Sequence, residues 1–240
     1  MSILEQVRRR AIALWEQAGL MHHPVTITAG PLTVEQAIGH PEGQDFPIQK
    51  GKELLLEAEF DGAKGQAFTD QVRTYQGCLA DVAHMDLNDN GQRAIFVATV
   101  NAVMRSLNRI SGTIHCRDAG PAECASHIGA YIRQQYGAPK IGMAGFQPAL
   151  IRALGSEFAL RVLDLDPDNI GTHRHGVRIE GGDATPEVLA WADVLLVTGT
   201  TLANDSIDLF LGAKPVLFFG TTIAGAAQLM GWERYCPCST

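Results

Sequence analysis

The run Thr113-Ile114-His115-Cys116-Arg117-Asp118, followed by Cys124 and His127, gathers the side chains of this sequence best able to hold a metal or attack an electrophile. Imidazole and thiolate are borderline-to-soft donors suited to Zn, Ni, Cu or Fe, and Cys124-x-x-His127 would share one face of a helix opened by Pro121. His115, Cys116 and Cys124 are the candidate ligands, and a divalent transition metal is the candidate cofactor. The spacing fits no zinc-finger template, and neighbours such as His115 and Cys116 point to opposite sides of an extended chain. A buried Cys124 on a core face with Ile128 and Tyr131 accounts for the same residues without chemistry. Cys116 beside His115 and Arg117 also sits where a thiol pKa can fall, although nucleophile and base usually come from separated segments. Cys236-x-Cys238 reads as a frayed tail in preference to a two-thiolate claw, His173-x-His175 reads as a surface loop, and His22-His23 likewise follows a helix end. The odd cysteine count of 5 argues against a disulfide framework.

Four Gly-, Asp- or Thr-rich loops follow short apolar runs: Gly145-Phe146-Gln147-Pro148, Asp164 to Asn169, Thr198-Gly199-Thr200-Thr201 leading to Asn204, and Gly220-Thr221-Thr222. Open parallel sheets bind ligands beyond the carboxyl ends of their strands, so these loops are candidate binding elements. Backbone N–H groups at helix starts, with threonine hydroxyls beside them, suit a carboxylate, phosphate or sulfate; helix capping and turn formation explain the same residues. Asp164 or Asp166 is placed to hold ribose hydroxyls, and Asn169 closes that loop, but Gly142-Met143-Ala144-Gly145 lacks the full dinucleotide fingerprint. Lys50 and Lys52, in the polar stretch from Asp45 to Glu53, are candidates to neutralise an anionic ligand, with Asp70 nearby after Thr69.

These residues need elements to position them. Ser2 and Glu5 have capping-box spacing, and Ile3, Leu4, Val7, Ala11, Leu14 and Trp15 then mark one helical face up to Gly19. Residues 53–60 alternate, with Leu54, Leu56, Ala58 and Phe60 opposite Glu53, Glu57 and Glu59, which predicts a half-buried strand. Asp61-Gly62 then predicts a hairpin whose return carries Gln66 and Phe68. Residues 93–109 are apolar all round, the mark of a central helix. After residue 138 the apolar runs Ile141–Ala144, Ala159–Leu163, Val194–Val197 and Val216–Phe219 alternate with helical stretches, which predicts a mostly parallel, Rossmann-like sheet. The class is α/β: an N-terminal α+β domain over residues 1–137 and a Rossmann-like domain over 138–240, divided at Gly137-Ala138-Pro139.

With 26 acidic and 19 basic residues the net charge is −7, which argues against nucleic acid or an anionic membrane as partner. A cytoplasmic protein that binds a small molecule is the expectation, and paired apolar helices make a homodimer reasonable.

The runs Asp45-Phe46-Pro47 with Lys50-Gly51-Lys52, Gly65 to Asp70, Gly112 to Cys116, Leu163 to Gly171, Val197 to Thr201 and Phe219 to Gly225 resemble the family described as putative heavy-metal chelation. The resemblance runs from about residue 38 onward. It implies an enolase N-terminal-like region joined to a Rossmann-like domain, with a site in the cleft between them. A metal ion or an anionic metal-chelating small molecule is then the expected ligand. His115, Cys116 and Cys124 would supply soft donors, and Thr200, Thr201, Asn204, Thr221 and Thr222 would hold anionic groups. The alternative is an enzyme acting on a nucleotide-like or adenosyl-containing substrate, with Asp164 or Asp166 on the ribose.

Overall fold

The computed structural model describes residues 1–27, 32–41, 43–71, 73–212 and 214–240. Helix α1 (Ile3–Gln17) opens with Ser2 Oγ accepting the Glu5 N–H at 3.3 Å, and it buries Leu4, Val7, Ala11 and Trp15 as its periodicity predicts. Strand β1 (Pro24–Ile27), helix α2 (Val34–Ile38), β2 (Leu54–Phe60), β3 (Ala63–Thr69) and β4 (Tyr75–Cys78) follow. They build a four-stranded antiparallel sheet in the order β3-β2-β1-β4. Asp61 and Gly62 turn the β2–β3 hairpin with φ of 48° and 74°, the paired left-handed conformations that Asp-Gly supplies most cheaply.

The predicted half-buried strand is covered on both faces. Leu56, Ala58 and Phe60 enter the main core, while Leu55 packs with Ala37, Ile38 and Ile48 beneath α2 and the 3-10 turn Pro47–Lys50. Glu57 tolerates its burial because Lys64 Nζ (2.7 Å) and Gln66 Nε2 (2.8 Å) donate to its carboxylate.

Helix α3 (Leu79–Ala83) leads to α4 (Asn90–Ser106), the predicted central helix. Asp89 caps it by accepting the Gln92 N–H at 2.8 Å, and its length from Ala94 to Met104 is buried. Strand β3 lies flush on it at Gly65, where any Cβ would stand 2.2 Å from the Ala102 nitrogen.

The rest of the chain runs through α5 (Gly120–Tyr136), β5 (Ile141–Ala144), α6 (Pro148–Gly155), β6 (Leu160–Leu163), β7 (His173–Arg174) and β8 (Val177–Glu180), then α7 (Thr185–Trp191), β9 (Val194–Thr198), α8 (Thr200–Ala203), β10 (Val216–Phe219), α9 (Ala224–Met230) and β11 (Arg234–Tyr235). Seven strands form one sheet, β11-β10-β9-β5-β6-β8-β7, parallel except for β7 on β8. This is a mixed α/β fold with a mostly parallel sheet, as expected. The short strands β7, β8 and β11 are additions that the apolar runs do not announce, and His173 lies in a strand rather than a loop.

One hydrophobic cluster joins α1, β2, β3 and α4 to Leu195, Val197 and Phe218 of the second sheet and to Ile223 at the start of α9. A second cluster lies on that sheet's other face, where Ala125, Ile128 and Ile132 of α5 meet Ile151 and Leu154 of α6. Among the described residues no helix is long and apolar enough to cross a membrane.

Candidate functional site

Strand order locates the site. From β5 the sheet grows through β6 on one side and β9 on the other, so the loops leaving β5 and β9 part at their carboxyl ends and open a crevice. A cavity of about 490 Å³ occupies it, walled by Gly145, Asp164, Thr198 and Gly220 on one side and by Ile48, Glu53, Phe68 and His115 on the other. Gly145 is required here. Its φ is +100°, and a Cβ would stand 2.6 Å from Thr198 Cγ2, so only glycine lets the two loops approach this closely.

Most of the residues expected at the site line this cavity, namely Lys52, Asp70, Gly145, Asp164, Asp166, Asn169, Thr198, Thr200, Thr201, Asn204, Gly220 and Thr222, with His115, Cys116 and Cys124. Lys50, Gly199 and Thr221 are not among its lining residues. Several of the hydroxyl and amide groups expected to hold anions are engaged in the fold itself. Thr201 Oγ1 donates to the Thr198 carbonyl at 2.7 Å, and Asn204 Oδ1 accepts from Ser206 Oγ at 2.6 Å. Thr222 Oγ1 accepts the Phe68 N–H at 3.1 Å, which ties the β10–α9 loop to β3. Lys52 reaches Asp168 at 2.7 Å and Asp166 at 3.5 Å, so its charge is spent bridging the two walls.

The polar lining is acidic. Glu53 at the entry to β2, Asp70 after β3 and Asp164 after β6 converge on the cavity from three elements. Part of Glu53 still faces the cavity, but protein surrounds its carboxyl; this desolvation, with the charges of Asp164 and Asp70, pushes its pKa up to about 7. Desolvation also raises Asp164, against hydrogen bonds from Asn169 Nδ2 and the Leu165 N–H, each at 2.8 Å. The sequence reading counted Glu53 as a solvent-facing residue of an alternating strand and missed it.

At another part of the wall the soft donors gather. Gln66 fixes the His115 backbone by accepting its N–H at 2.7 Å, and the ring meets Phe68 edge-on with centroids 5.2 Å apart. Burial lowers the His115 pKa to about 4, so the ring is neutral at pH 7, and its Nδ1 has no hydrogen-bond partner. Cys236-x-Cys238 is no frayed tail. Ile114 and Thr240 exchange backbone hydrogen bonds at 2.8 and 3.1 Å, an antiparallel register that sets Cys116 opposite Cys238. Tyr235 donates its hydroxyl to the Cys124 carbonyl at 2.8 Å, drawing α5 to the same place. Burial first, and then the neighbouring thiols Cys236 and Cys238, push Cys116 up to about 12; burial raises Cys124 as well, so neither is a ready nucleophile. Cys236, set aside by the sequence reading, lines the cavity with them. Among the described residues no group of three or more His, Cys, Asp or Glu side chains is arranged to hold a metal ion.

A further residue that spacing did not reveal joins the two walls. Asn101 is fully buried in α4; its Nδ2 donates to the carbonyls of Gln66 (2.9 Å), Thr221 (3.1 Å) and Thr222 (3.1 Å), and its Oδ1 accepts the Gly225 N–H at 2.7 Å. A lone Asn in an apolar helical run is the only trace it leaves in the sequence.

A family model described as "DUF364: Putative heavy-metal chelation" matches residues 130–224, the region from late α5 to the start of α9, and so bears out the family resemblance. No curated protein matches the chain. Among solved structures, a protein of unknown function from the DUF364 family of Pyrococcus horikoshii is similar at 14% identity and a TM-score of 0.52, over 92% of this chain and 79% of that one. A DUF364-family protein of unknown function from Desulfitobacterium hafniense shares 14% identity over 74% of this chain and 72% of that one, with a TM-score of 0.49. The first of these likenesses is one of fold.

Proposed function

Because residues 130–224 match a heavy-metal-chelation family model, we propose that the chain binds a metal-bearing small-molecule chelate in the cavity between its two sheets. In this reading residues 1–137 form an α+β, enolase N-terminal-like domain, residues 138–240 form a Rossmann-like domain, and the cavity is the cleft between them. The observation that carries it is the presence of His115, Cys116, Cys124 and Cys236 in the wall of the cavity that the strand-end loops open into.

The donors are not pre-arranged as a closed site, so the metal is expected to arrive with part of its coordination shell supplied by the organic ligand and to take its remaining places from the protein. The acidic lining and the engagement of Lys52 favour a neutral or cationic complex over the anionic one expected from sequence. The thiols are protonated in the free protein, and metal binding releases those protons, so affinity should climb with pH. The acidic overall balance fits a cytoplasmic protein working on a small molecule rather than on nucleic acid or a membrane.

The test is elemental analysis of protein purified without an affinity tag, beside a Cys116→Ser/Cys124→Ser double variant. A near-stoichiometric transition metal in the wild type that disappears in the variant is expected. Metal retained equally by both proteins, or absent from both after incubation with zinc and copper presented as soluble small-molecule chelates, overturns the reading.

A specific observation favours a second reading, a nucleoside-like substrate. Asp164 stands at the end of β6, one strand beyond the switch-point strand β5, with its carboxylate oriented by Asn169 and facing the cavity. Under it, Asp164→Asn abolishes stabilisation by adenosine-type nucleosides and the cysteine variant leaves it intact.

A further inference from the structure

Glu53, Asp70 and Asp164 bring three carboxyl groups to one cavity, and among the described residues no ion pair neutralises them: the nearby ammonium of Lys52 is held by Asp166 and Asp168. A second feature points the same way. Asn169, only 3% exposed and part of the cavity wall, gives its Nδ2 to Asp164, which fixes the amide orientation and leaves Oδ1 without a partner. A buried acceptor without a donor is costly, and among the described residues no hydrogen bond reaches the Glu53 carboxyl across the same corner either. The corner is therefore rich in acceptors and short of hydrogens. A bare metal ion does not fit it, because no three of the described carboxyl, imidazole or thiol side chains are arranged to hold one. A group bearing several N–H donors and a positive charge supplies what is missing, and the remaining wall, including Phe68, Phe146 and Phe219, is apolar enough to take an organic body.

We propose that this corner is an ammonium subsite: the ligand carries a primary amine that donates to Glu53, Asp164 and Asn169 Oδ1, with an apolar portion against the phenylalanines. The inference rests on the reading of the cavity as a small-molecule site, and names the chemistry of one end of that molecule. Asp70 adds charge to the subsite, while its Oδ1 already accepts from Asn90 Nδ2 at 2.8 Å. Desolvation and the neighbouring charges of Asp164 and Asp70 hold the proton on Glu53, and a cation bound beside it would release that proton.

Calorimetric titration of the full chain at pH 8 in the presence of EDTA, where metal chelation plays no part, tests this with three probes of one shape: 2-phenylethylamine, 2-phenylethanol and phenylacetate. The amine is expected to bind, the alcohol about tenfold or more weaker, and the acid not at all. Glu53→Gln and Asp164→Asn, made singly, should each weaken the amine by about tenfold and leave the alcohol unchanged. EDTA takes the thiol donors out of the readout, and Cys78→Ser, at the end of β4 and outside the cavity wall, should leave all three probes unchanged, so failure of the chelate reading and failure of the ammonium subsite are separately visible. Phenylacetate binding as tightly as the amine, no binding of the amine, or an amine affinity untouched in both carboxyl variants overturns the proposal. Glu53→Gln removes a buried charge rather than a packing contact and is expected to fold; a circular-dichroism melt of each variant confirms this before titration.

Discussion

Glu53 and His115 look into the same cavity with opposite protonation problems, and stability against pH reads both. Burial takes the Glu53 carboxyl from 4.5 in the unfolded chain to about 7 in the fold. Between those values the folded protein holds a proton that the unfolded chain has lost, so stability falls as pH rises through this window. His115 falls from 6.5 to about 4, so the unfolded chain holds the extra proton there and stability rises with pH across 4 to 6.5. Each effect amounts to about 3 kcal/mol at its far end, and from pH 4.5 to 6.5 the two nearly cancel. Urea unfolding across pH 4 to 8 should therefore show a flat profile over that interval in the wild type. Glu53→Gln should give a curve that rises to about pH 6.5 and then levels, and it should be more stable than wild type at pH 8 by about 3 kcal/mol and unchanged at pH 4. His115→Gln should give a curve that falls from about pH 4.5 to 7. Parallel wild-type and variant curves would show that neither side chain is perturbed as described. The candidacy of His115 was legible from its type and its neighbours. That of Glu53 was not, because period-two alternation says which face a residue takes and nothing about what α2 and the Pro47–Lys50 turn lay over that face.

At the scale of elements, α4 binds the strand-end loops to the first sheet through one side chain. Asn101→Leu keeps the branched outline but strands the Gln66 and Thr222 carbonyls and the Gly225 N–H, while the Thr221 carbonyl keeps the Ala224 N–H, for a loss of about 3 kcal/mol and roughly 10 °C in Tm by scanning calorimetry. A loss under about 1 kcal/mol would mean that the four bonds are replaced by water. Gly145→Ala should also destabilise, through its left-handed φ and its contact with Thr198 Cγ2. Thr198→Ser removes that methyl group, so the double variant should recover part of the loss, and strict additivity in thermal melts would place the strain elsewhere. The strands around this junction were readable because β5, β9 and β10 are buried on both faces and appear as unbroken apolar runs. Strand β11 has two residues, and the segment after it is held by pairing with residue 114, more than a hundred positions away. No local pattern carries that contact, which is why the second pair of thiols was assigned to a tail.

At the scale of the molecule, the main hydrophobic cluster crosses from the first sheet through α4 to β9 and β10. Unfolding should consequently be one transition, with far-ultraviolet and near-ultraviolet circular dichroism coinciding and the slowest amides of β3 and β9 exchanging together. Two separated transitions would show that residues 1–137 and 138–240 are independently stable. The ionic bridge from Lys52 to Asp166 and Asp168 has a different standing from this shared core. Its closer pair is largely open to solvent, with 41% exposure at Lys52 and 71% at Asp168 against 15% at Asp166, and such exposed pairs are screened by ordinary salt. The bridge spans the two walls of the cavity without holding them in place, so it acts on traffic more than on shape. Raising ionic strength should shorten the residence time of a bound cationic molecule, because the bridge and the hold of the acidic lining are screened together, and occupancy should fall with it.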